Sequence, residues 1–176
     1  RIAKGFMEEV PAAARDTLAQ SYRALPSVAD DAARYAARAI EGAEGLEPAR
    51  TLGLVTSEQA AAIARIHGDA DVGLFDFSLT PTEIKHVAAM HGNDAAERSR
   101  GQRAVEVADF AQLPSILLQP DQLEDAGTSD IGEPLVRFTR QIGDDRFNAI
   151  FAVRKGRRTL ALKTMFINAG KSRPPR

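Results

Sequence analysis

Three apolar-alternating runs joined by short turns constrain this chain more than any other feature. They cover residues 135–142, 146–154 and 158–167. The turns between them are Gly143-Asp144-Asp145 and Lys155-Gly156-Arg157. Runs of this length and spacing predict an antiparallel meander. Side chains alternate faces in a strand, so each run divides into two sets. Val136, Phe138 and Ile142 share a face in the first run. In the second, Phe147, Ala149, Phe151 and Val153 do. In the third, strict alternation groups Leu160, Leu162, Thr164 and Phe166. These sets predict an apolar wall packed on helices. The opposite face gathers Arg137, Thr139, Asn148, Arg154 and Lys163, cations interleaved with hydroxyl and amide groups. Such a surface suits a phosphodiester, because cations stabilise the extra charge of a pentacovalent phosphorus. It also fits the solvated outer face of an ordinary antiparallel sheet.

The charge distribution sharpens this reading. The 176 residues sum to -1, but the total hides a split. Residues 134–176 carry eleven Lys and Arg against two acids, a charge of +9. The first 133 residues carry twelve against 22, a charge of -10. A basic half points to a polyanion, or to attraction between the two halves. With no Cys, disulfides, thiol nucleophiles and Cys-ligated metal sites are excluded. No apolar run approaches the roughly 18 residues of a spanning helix, so no membrane partner is expected. The chain begins on Arg1 and is expected to be a piece of a longer one.

The remaining segments read mainly as helix. Residues 7–42 are Ala-rich, with a break at Leu25-Pro26-Ser27, where Ser27 and Asp30 match a capping box. Residues 42–48 read as a linker. The expected organisation is therefore a helical segment over 1–49, an α+β domain over 50–170 and a basic tail over 171–176. Within the domain, Thr56 to Gln59 opens a short helix that stops at His67-Gly68, and residues 72–79 read as a strand. Thr80-Pro81-Thr82-Glu83 predicts the next helix start, with Thr80 as cap and Glu83 reaching back. Gly92 is expected to end that helix in the left-handed conformation. Residues 124–133 read as a polar loop.

Only three histidines are present. His67 sits at a helix end. His86 and His91 share a helix but point roughly 140° apart, so they cannot chelate one metal together. His91 falls within the apolar stripe of Ile84, Val87 and Ala88, and His86 falls outside it. His86 is thus the more accessible candidate for proton transfer near neutral pH.

Several strings resemble one family. They are Ile84-Lys85-His86-Val87-Ala88-Ala89-Met90-His91-Gly92, Arg100-Gly101-Gln102 with the stretch from Val105 to Asp121, and the closing segment from Val153 to Met165. Together they resemble the phage barnase/EndoU/colicin/RelE-like nucleases, found at the C-termini of Mu-type minor head proteins and in polyvalent or toxin-like proteins. The resemblance covers roughly residues 50–168. It implies an α+β fold, with N-terminal helices followed by a curved antiparallel sheet. It also implies metal-independent cleavage of RNA, tRNA included, with no cofactor. A base would remove the 2′-hydroxyl proton, an acid would protonate the leaving 5′-oxygen, and cations would stabilise the phosphorane. Mapped onto this chain, His86 and then His91 are the acid–base candidates, and Arg137 and Lys163 stabilise charge. Thr164 would orient phosphate, although strict alternation puts it on the apolar face unless a bulge intervenes. Lys85, Thr139, Arg154 and Lys155 would hold substrate. Lys85 stands where Arg is expected, which removes bidentate phosphate binding. The resemblance further implies a phage particle or a delivered effector acting in the bacterial cytoplasm, and charge complementarity implies an acidic immunity protein. Two other readings are a non-enzymatic head-protein appendage that binds nucleic acid or a partner, and an NAD-consuming or ADP-ribosylating toxin. The second lacks a strong Arg…Ser-Thr-Ser…Glu-x-Glu pattern.

Overall fold

A computed structural model describes residues 4–170, so the basic tail expected over 171–176 lies outside the described residues. The helices are α1 (Lys4–Glu9), α2 (Ala12–Ala24), α3 (Pro26–Glu41), α4 (Ser57–Ile66), α5 (Pro81–His91), α6 (Asp94–Arg98) and α7 (Leu113–Leu118). The strands are β1 (Arg50–Leu54), β2 (Asp76–Leu79), β3 (Gln102–Arg103), β4 (Gln122–Thr128), β5 (Pro134–Ile142), β6 (Asp145–Arg154) and β7 (Thr159–Asn168). They form one open sheet in the order β1-β2-β7-β6-β5-β4, with β3 also pairing β7. The class is α+β. The sheet is mixed and not wholly antiparallel, because β2 runs parallel to β7.

The meander of β5, β6 and β7 forms as the alternation predicts. One face of it carries the core. Phe77, Phe138 and Phe151 meet edge to face, with ring centroids 5.2–5.7 Å apart. Such pairs add to what burial alone contributes. Ile63 of α4, Ile84 and Val87 of α5, and Ile116 and Leu117 of α7 close over the same cluster. Ala32, Tyr35, Ala36 and Ala39 of α3 belong to that core as well. Arg23 of α2 is buried and donates to the carbonyl of Leu54 at 2.6 Å. Burial pulls its pKa down to about 10.

Local signals explain most helix boundaries, with instructive departures. Thr56 and Gln59 form the expected reciprocal capping box. Ser27 does not cap α3. Pro26 takes the first helical turn, where its fixed φ and missing N–H are no liability, and Ser27 lies inside the helix. Pro81 likewise opens α5, but Thr80 makes no capping bond and Glu83 is committed elsewhere. Gly92 ends α5 at φ -88°, not in the left-handed region. A Cβ there would lie 2.3 Å from the Ala88 carbonyl oxygen, so close backbone approach is what requires glycine. The loop expected over 124–133 is partly strand, since β4 pairs with β5 at Gln122↔Thr139, Leu123↔Phe138 and Glu124↔Arg137. Among the described residues no helix is long and apolar enough to cross a membrane.

Candidate active site

The outer face of β5, β6 and β7 collects the polar residues anticipated there, and one irregularity decides which residues join them. Across β6 and β7, Phe151 pairs with Leu162, but Ile150 pairs with Thr164. Lys163 is the extra residue of a β-bulge, so Lys163 and Thr164 together stand opposite Ile150. The bulge reverses the alternation downstream. Met165 and Ile167 turn into the core, while Thr164 and Phe166 turn to the outer face. Thr164 therefore lies with the polar set, and its Oγ1 has no hydrogen-bond partner among the described residues. The apolar face expected to hold Leu160, Leu162, Thr164 and Phe166 instead holds Leu160, Leu162, Met165 and Ile167.

Helix α5 runs beside β7 and flanks this face. Near its start, Glu83 is almost buried, at 11 % side-chain exposure. One carboxylate oxygen, Oε1, receives Arg154 Nη2 at 2.9 Å and lies 3.6 Å from Lys163 Nζ. Its Oε2 makes no hydrogen bond among the described residues. His86 follows one turn later, within reach of the Glu83 side. It is exposed, and its ring has no partner there. Lys85 is exposed on the same helix. His91, at the far end, differs. Its Nδ1 lies 3.0 Å from Glu97 Oε2, and Glu97 is fully buried and also receives Arg100 at 3.0 Å. The His91 ring stands over Phe166, centroids 6.0 Å apart. Eight residues of helix separate Glu83 from His91, about 12 Å along the axis. One phosphodiester therefore meets the Glu83–His86 end or the His91 end, not both.

The predicted cations are present on this face, each with a carboxylate from the acidic half. Arg137 pairs with Glu124 at 2.8 Å, and Arg154 also donates to Glu133 at 3.0 Å. Lys155 lies 3.3 Å from Asp69, and that contact holds the Asp69 carboxyl below the usual range. Attraction between the two halves of the chain thus takes a specific form. Arg137 retains a buried Nε without an acceptor, and Thr139 a buried hydroxyl without a partner. Buried polar groups are rarely left unpaired, and here three lie close together on one face. His67 is used elsewhere, bonding the Leu135 carbonyl at 2.9 Å. Arg103 is clamped by Asp109 and Asp145, which raise its pKa above the usual arginine value despite burial. It fastens the β5–β6 turn, not the site. Among the described residues no three His, Asp or Glu side chains converge as metal ligands.

Sequence reasoning missed Glu83 as a site residue because its position three after Thr80 reads as a cap. Its partners, Arg154 and Lys163, are 71 and 80 positions away. Glu97 was likewise invisible, lying in a short charged helix. The bulge did leave a signal. The apolar positions Leu160, Leu162, Met165 and Ile167 step by two, three and two.

No solved structure and no curated protein is detectably similar to the chain. One family model does match, described as phage-Barnase-EndoU-ColicinE5/D-RelE like nuclease3, over residues 55–173. The match takes in the whole of α5 and the bulged β7, which carry Glu83, His86, Lys163 and Thr164. The chain belongs to this nuclease family.

Proposed function

We propose that this nuclease domain cleaves RNA, tRNA included, by metal-independent acid–base chemistry at the Glu83 end of α5. One observation carries the reading. A nearly buried carboxylate is held by two cations, Arg154 and Lys163, one helical turn from an exposed histidine. In the reaction, the 2′-oxygen bonds to phosphorus as the bond to the 5′-oxygen breaks. The products are a 2′,3′-cyclic phosphate and a 5′-hydroxyl. The carboxylate flanked by two cations is the group placed to act as base. Glu83 therefore accepts the 2′-hydroxyl proton at Oε2, and His86 supplies the proton to the 5′-oxygen. Lys163 and Arg154 face the charge that builds on the phosphorane, and Arg137 approaches it from β5. The unpartnered Thr164 hydroxyl supplies a further donor to a non-bridging oxygen. Lys85 and Lys155 hold the strand on either side. An acidic immunity protein would compete for the same cations, and a delivered effector in the bacterial cytoplasm is the setting in which such an activity would be used.

The test is cleavage of total RNA and tRNA in EDTA, comparing wild type with His86→Ala and His91→Ala. Cleavage that persists in EDTA and is lost only in a folded His86→Ala supports the reading. Intact RNA with salt-sensitive binding would favour a nucleic-acid-binding appendage instead.

A further inference from the structure

We propose that the opposite end of the same strip is a nucleobase subsite, with Phe166 as its floor and the Asn148–Asn168 amide pair as its edge reader. It holds the base of a nucleotide next to the cleaved bond. This inference rests on the ribonuclease reading and adds the group that places the substrate.

Phe166 is a half-buried aromatic ring on the sheet face that carries Thr139, Asn148 and Thr164. It is put there by the bulge, and its direct neighbour on β6 is Asn148. An aromatic ring on such a surface is a stacking platform that any base can use. His91 borders it, its ring tilted 34° to that of Phe166 with centroids 6.0 Å apart, and the contact with Glu97 holds it in that place. Met90 of α5 is a large apolar residue left 50 % exposed. On the helical wheel it lies about 20° from Glu83.

The polar groups supply the second half of the case. Asn148 Nδ2 donates to Asn168 Oδ1 at 2.8 Å. That bond leaves an acceptor, Asn148 Oδ1, beside a donor, Asn168 Nδ2. A base edge presents the complementary pair, donor next to acceptor. Two unpartnered buried groups adjoin it. Thr139, directly across from Asn148, is 1 % exposed and its hydroxyl has no partner. Gln102, directly across from Asn168, has a buried Oε1 with none. An ordinary solvated sheet face would not collect an aromatic ring, a paired amide couple and two unpaired buried groups. The end of α5 that borders Phe166 lies about 12 Å along the helix from Glu83, a spacing that fits a neighbouring base better than the reacting phosphate.

The experiment uses the full chain, titrated with nucleoside 3′-monophosphates and separately with inorganic phosphate, and read by NMR at the Phe166 ring and the Asn148 and Asn168 amides. Nucleotides should shift these signals saturably, and phosphate should not. Phe166→Leu and Asn168→Ala should each weaken nucleotide binding by about tenfold, the scale of one stacked base. In cleavage of short RNAs varied at one flanking position, both should raise KM and blur base preference with kcat little changed. Asn168→Ala, at the strand end, serves as the independent check should Phe166→Leu unfold. Equal shifts from phosphate alone, or wild-type nucleotide binding in both folded variants, would overturn the subsite. If wild type cleaves no RNA yet nucleotides bind at Phe166, the ribonuclease reading falls and the base site stands. If RNA is cleaved and neither variant changes binding or KM, the reverse holds.

Discussion

The two faces of β5, β6 and β7 are built from the same strands and obey opposite rules. The core face is satisfied throughout, with three phenylalanines in edge-to-face contact and helices closed over them. The outer face is left incomplete. Its cations lean on carboxylates borrowed from elsewhere in the chain, and Thr139, Thr164 and Arg137 keep buried groups without partners. Packing specifies the first face. On the proposed reading, the second is completed by a ligand that brings acceptors of its own. A change on the core face should therefore act through stability, and a change on the outer face through activity.

The largest effect is expected from the core. Phe151→Ala should cost about 3–5 kcal/mol of unfolding free energy, read from the denaturant midpoint, and activity should fall only with the folded fraction. On the outer face the separation should invert. His86→Ala should lower cleavage by about 10²–10⁴-fold. Its melting temperature should hardly move, since the exposed ring has no partner among the described residues. Glu83→Gln should match that loss of cleavage. It should also lose about 1–3 kcal/mol, because Arg154 and Lys163 are left without their shared carboxylate. A destabilised but active Glu83→Gln would assign the carboxylate to the fold alone.

A smaller, sharper test concerns the bulge. Deleting Lys163 should leave a regular strand with Thr164 still opposite Ile150, so the fold should survive a deletion in mid-strand. Cleavage should drop by about 10²-fold, as for Lys163→Ala, through loss of one charge-stabilising group. Unfolding of the deletion variant alone would show that the extra residue is structural. The smallest effect is expected for Thr164→Val. It should leave stability unchanged or slightly higher, because a buried unpaired hydroxyl is removed, and lower cleavage only several-fold.

The meander was legible because Phe147, Ala149, Phe151 and Val153 alternate without interruption and glycine-bearing turns bound the runs. Strand β4 was not, because its sequence QLEDAGT offers a single large apolar residue, Leu123, and gains its order from pairing with β5. For Thr164, strict alternation gave the wrong face, because one inserted residue shifts every later side chain. Of the two histidines of α5, His86 is the exposed one, as its place outside the apolar stripe predicts. The capping pattern at Glu83 misled for a physical reason. A carboxylate near two cations gains more from them than from one backbone N–H, and those cations come from strands about 70 to 80 residues later. Periodicity reports local geometry, and such a site is assembled by long-range contact.

The most direct measurement is cleavage of RNA in EDTA by wild type and by His86→Ala, with product ends identified. The account predicts 2′,3′-cyclic phosphate and 5′-hydroxyl ends from wild type, and a folded His86→Ala that leaves RNA intact. Full cleavage by His86→Ala, or wild-type cleavage abolished by EDTA, would contradict it.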